Sequence, residues 1–127
     1  MAPTPSDAAR IRADNVRVPR EEFVAVWDEA GRRAADGYTE AVVQTCRWLA
    51  AIPSRTALCG GQVRSPVTLR ACVAYPATIA AEWEAAQRRE AFLPDLAARP
   101  GWCDGVRATL AWAWDRSGPP PLDVVRS

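Results

Sequence analysis

Histidine is missing from the chain, and so is lysine. Without an imidazole there is no Ser-His-Asp or Cys-His relay, no HExxH zinc site and no Glu-x-x-His di-metal motif. The commonest general acid–base near neutral pH goes with it. Many familiar enzyme classes are excluded on that ground, and no catalytic motif is legible in what remains. The lack of lysine leaves all 16 basic residues as arginine, against 15 carboxylates and a net charge of +1. So even a balance argues against broad electrostatic steering toward nucleic acid or anionic lipid.

Long apolar runs are absent as well. Aliphatic and aromatic residues make up 49% of the 127 positions, yet Arg, Glu or Pro interrupts every run before the roughly 18 residues that a bilayer span needs. No membrane role is expected. The opening "MAPTPSDAARIRADN" has no apolar core of the length a secretory signal requires, so the expected location is the cytoplasm. Thiols are kept reduced there, and the four cysteines are expected to be free.

Strand signals are scarce, because β-branched runs are few and no alternating segment lies between hairpin turns. No repeat of fixed period is present. What the chain does contain is helical periodicity. "VPREEFVAVWDEAGRRAADG" places Pro19 at a helix start, Glu21 and Glu22 at the positive end of the dipole and Arg32 and Arg33 near the other. Phe23, Val26, Trp27, Ala30 and Ala34 share one stripe. A second helix is expected over about 39–52, where Val42, Thr45, Cys46 and Leu49 form a buried face that Val43 and Trp48 widen. Such a helix either sits centrally or offers a surface to a partner.

Residues 53–65 break the helical period and read as one long loop, of the length at which functional loops are over-represented. Ser65 and Pro66 then suit the start of a helix over 66–75, Pro76 interrupts it, and another helix follows over about 77–92. Pro94 begins a short turn or helix. The last helix, in "PGWCDGVRATLAWAWDRSGPPP", carries the stripe Trp102, Val106, Leu110 and Ala113, with Trp112 directed away from it, and ends at Gly118 and three prolines. The expected fold is therefore all-α, a compact single-domain bundle of about five helices. A mobile N-terminal arm (1–17) precedes the helical domain (18–121), and a short tail (122–127) follows.

Cys46, Cys59, Cys72 and Cys103 lie at intervals of 13, 13 and 31, unlike the close pairs of structural zinc sites. No metal and no cofactor is expected, and buried structural thiols are the leading reading. Cys59 differs, since it lies beside Gly60 and Gly61 and between Arg55 and Arg64. That group could lower a thiol pKa or cradle an anion, although no phosphate-loop pattern accompanies it.

Six tryptophans are the strongest positive anomaly. Trp27, Trp83 and Trp102 fall on core stripes, whereas Trp48 and Trp112 do not, and tryptophan is enriched at binding hot spots. The leading expectation is a non-enzymatic protein-interaction or regulatory accessory module. It would act through Trp48, Trp112 and Val43 on a protein partner or on a second copy. Two alternatives stand beside it: a small nucleic-acid-binding accessory protein, less favoured because the arginines are scattered and matched by acids, and an anion or small-molecule site on the 53–65 loop.

Overall fold

The computed structural model describes residues 11, 14–33, 36–50, 65–67, 74 and 76–122. Five α-helices and no strand occur among them, as the periodicity predicts. Helix α1 spans Arg20–Arg32 and buries Phe23, Val26, Trp27 and Ala30. Those are four residues of the expected stripe. On its outer side Arg32 pairs with Asp28 at 3.4 Å and Arg33 with Glu29. Exposed pairs of this kind add only a few tenths of a kcal/mol.

Helix α2, Gly37–Leu49, begins two residues earlier than its apolar pattern suggests, because the cap is Asp36. Its carboxylate accepts the Thr39 amide at 2.9 Å and the Thr39 hydroxyl at 2.8 Å. Those hydrogen bonds hold the Asp36 carboxyl below its ordinary range. Thr39, Ala41, Val42, Val43, Thr45, Cys46, Trp48 and Leu49 are all buried. Of the two roles its wide apolar surface allowed, α2 takes the central one.

Helix α3, Pro76–Ala86, stops short of the expected 92. Arg107 donates from Nε to the Ala86 carbonyl, which satisfies an end carbonyl and places a cation at the negative pole of the helix. A 3-10 turn, Arg89–Ala91, and the single-turn helix α4, Pro94–Ala97, lead to α5, Trp102–Leu110. There the chain departs from a regular helix: Ala111–Asp115 forms a π-helical turn, closed by Arg116 at φ 57° and by the Ser117 amide on the Ala111 carbonyl at 2.8 Å.

The α2–α5 seam organises the fold. A Cβ on Gly37 would lie 2.2 Å from the Pro100 carbonyl oxygen, and one on Gly105 would lie 2.6 Å from the Tyr38 oxygen and 2.8 Å from the Ala41 Cβ. Gly101 sits against Tyr38 with φ 82°, a conformation that suits glycine. Because Gly101 meets Tyr38 and Gly105 meets Ala41, numbering rises together in the two helices. They run parallel, and α3 and α4 pack against α5.

Two lashings hold the periphery to this pair. Asn15, fully buried, donates from Nδ2 to the Leu49 carbonyl at 3.1 Å and to the Ala74 carbonyl at 2.7 Å. Arg17 gives its amide to the Ala113 carbonyl at 2.8 Å and lays its guanidinium 4.0 Å from the centre of the Trp114 ring. Ile11 and Val16 are buried too. The described part of the segment expected to be loose is thus docked through Ile11, Asn15 and Val16. At Ser65–Val67 the Val67 amide reaches the Glu82 carboxylate at 3.1 Å, and the Pro66 carbonyl accepts the Trp102 indole N–H at 3.1 Å. The helix expected over 66–75 lies largely outside the described residues.

Candidate interaction surface

The aromatic face expected at Trp48, Trp112 and Val43 is core. Trp48 is 1% exposed, Trp112 5% and Val43 8%. Trp48 and Val43 are covered because α2 is surrounded, so their displacement from its main stripe points them to other neighbours rather than to solvent. For Trp112 the reason is partly local. Its ring stacks on Phe23 of α1, with centroids 6.0 Å apart and planes 14° apart, and Phe23 meets Trp27 edge-on at 6.1 Å. The π turn around Trp112 carries more residues per turn than an α-helix, so a stripe drawn at 3.6 residues no longer says where its ring points.

Arg55, Cys59, Gly60, Gly61 and Arg64 lie outside the described residues, as does Cys72. Cys46 and Cys103 are free thiols and both are buried. Burial pushes the Cys46 thiol far above its ordinary pKa, so it stays protonated and serves as a small apolar side chain. Among the described residues no cluster of three metal-ligating side chains occurs. No helix is long and apolar enough to cross a membrane among them.

A different site lies at the corner between α4 and α5. A groove of about 330 Å³ is lined by residues 97–101 together with Cys103, Asp104 and Arg107. Pro94 and Pro100 frame the short α4, and Gly101 lets the chain turn directly into α5. Both arginines of the groove are braced. Arg99 pairs with Glu40 at 3.3 Å and lies 5.4 Å from the centre of the Trp102 ring. Arg107 holds the Ala86 carbonyl, faces Asp104 at 3.8 Å and lies 5.8 Å from the centre of the Phe92 ring. With two arginines set against Glu40 and Asp104, the corner is polar and close to neutral.

Next to the groove, the Tyr38 hydroxyl donates to the Pro121 carbonyl at 2.8 Å and fastens the chain at that point. Burial, and then the charge of Asp104, raises the Tyr38 phenol above its ordinary pKa. Sequence reasoning passed over this corner. The one signal it left was "LPDLAARPG", two prolines and a glycine around a segment too short to form a standard helix.

The chain matches no protein-family model, no curated protein and no solved structure.

Proposed function

We propose that the chain is a non-enzymatic protein-interaction or accessory module that presents the α4–α5 corner to a protein partner. The observation that carries the reading is the bracing of Arg99 and Arg107 on Trp102 and Phe92 at the walls of one groove. Arginine is enriched at interface hot spots, and a side chain already held in place loses less conformational freedom when a partner arrives. The near-neutral charge of the groove favours a polar protein surface over a free anion, since each guanidinium already faces a carboxylate. Leu93, 40% exposed beside the corner, adds apolar area without being evidence in itself, because single exposed leucines are ordinary.

The test is native mass spectrometry of the chain purified from its host, repeated with Arg99→Ala. Arg99 is exposed, so folding stability should change by less than about 0.5 kcal/mol. A complex with a second polypeptide or a second copy, weakened in the variant, is the expected result. A bare monomer, or a complex indifferent to the substitution, would reject the reading.

A further inference from the structure

Helix α5 and its π turn are closed by Arg116 in the left-handed region and by the Ser117 amide on the Ala111 carbonyl. A glycine and one proline after that would be enough to prevent the helix from resuming. The chain instead continues Gly118–Pro119–Pro120–Pro121, and two of those prolines are surplus to the stop.

Their exposure differs from one residue to the next. Gly118 is half-buried, Pro119 and Pro120 are exposed, and Pro121 is half-buried again. Position 118 faces Ala111, 3.5 Å from where a Cβ would be, and the Pro121 carbonyl is fastened to Tyr38 at 2.8 Å. Three successive prolines push residues 118–120 toward the extended polyproline II region, and with three residues per turn that conformation puts residues 118 and 121 on one edge. That edge is spent on the chain's own domain. The other two positions, both prolines, point outward from a segment held on one side by the Ser117 amide on the Ala111 carbonyl and on the other by the Tyr38 hydroxyl on the Pro121 carbonyl.

We propose that this strap is a docking ligand for a protein domain whose aromatic-lined groove reads polyproline II segments. Proline rings fix φ before binding, and the hydrogen bonds of the Ser117 amide and the Tyr38 hydroxyl on either side remove still more freedom, so little order remains to be imposed by the partner. The Tyr38 contact is itself an example of the chemistry such grooves use, an aromatic hydroxyl donating to a prolyl carbonyl. The proposal adds a second surface and a partner class to the interaction reading and rests on that reading only in taking the partner to be a protein.

The experiment is a titration of the full-length, 15N-labelled chain with isolated SH3, WW and EVH1 domains, repeated with a Pro119→Ala/Pro120→Ala double variant and with Arg99→Ala. The prolines have no amide proton, so the Gly118 and Leu122 amides report. Expected are saturable shifts at those two positions with at least one domain, displaced by an oligoproline peptide and weakened about tenfold or more in the double variant. Binding by Arg99→Ala should be unchanged, which separates failure of the strap from failure of the groove. Both substituted prolines are exposed, and unaltered near-ultraviolet circular dichroism of the tryptophans confirms that the double variant is folded. An absence of shifts with all three domains, or equal binding by the double variant, overturns the proposal.

Discussion

Along the α2–α5 seam two helices meet through their backbones, at Gly37, Gly101 and Gly105, whereas the periphery is tied on by single side chains such as Asn15 and Tyr38. In the first region the space for even one methyl group is missing. In the second, a side chain crosses the gap and makes one or two hydrogen bonds. A backbone contact cannot yield without moving a whole helix. A lashing can fail by itself, and the difference sets the order of the mutational effects below.

Gly105→Ala is the largest test of the contrast. At a solvent-exposed helical site the substitution would gain up to about 1 kcal/mol in helix propensity. Here the new Cβ would lie 2.6 Å from the Tyr38 oxygen, and overpacking of this kind costs about 3 kcal/mol. The net effect is expected to be a clear fall in the urea midpoint with the slope unchanged. A midpoint at or above that of the native chain would show that the two helices can separate freely, and the contrast between seam and lashing would fail.

The seam was also the least legible part of the sequence. Phe23, Val26, Trp27 and Ala30 declare the inner face of α1 because a 3.6-residue period lies within one segment, and Pro19 with two glutamates marks its start. Nothing local pairs Gly105 with Tyr38 or Gly37 with Pro100. Their small size matters only once two helices more than fifty residues apart lie parallel. The π turn was hidden for a related reason, since "AWAWD" has no composition that distinguishes it from α-helix. The all-round apolar surface of α2 was visible, but a buried central helix and a helix offered to a partner carry the same pattern. Trp48 belongs to the first, and Trp112, in the π turn after α5, is buried against Phe23. The α4–α5 groove was unread because it depends on Arg99 and Arg107 finding rings at Trp102 and Phe92 in the folded chain.

Asn15→Leu comes next in size. It removes two hydrogen bonds and leaves the Leu49 and Ala74 carbonyls to find other partners, at about 1–1.5 kcal/mol each. Part of that is returned, because Asn15 Oδ1 is buried without a hydrogen-bond partner, and leucine buries no such atom. A net loss of about 2 kcal/mol is expected. Hydrogen exchange should show where it falls: faster exchange near residues 15–17, with the amides of α5 less affected than in Gly105→Ala. Uniform acceleration through α5 would mean that Asn15 supports the core as a whole and that the lashing is part of the seam.

Tyr38 belongs to both regions, which makes it the finest test. Its backbone oxygen and Cβ face Gly105 and Gly101, while its hydroxyl holds Pro121. Tyr38→Phe removes only the second contact, at a cost of about 1 kcal/mol near neutral pH. The sign of the pH dependence follows from the raised phenol pKa. The folded chain keeps the proton longer than the unfolded one, so this contribution is complete below the unfolded value of about 10 and is lost as pH rises through the higher folded value. The stability curves of the native chain and the Tyr38→Phe variant should therefore lie apart at neutral pH and converge in the alkaline range, with faster exchange at the Leu122 amide of the variant. Parallel curves would mean that ionising the phenol leaves Pro121 in place, and that the strap is held by its packing on the domain instead of by the Tyr38 hydroxyl.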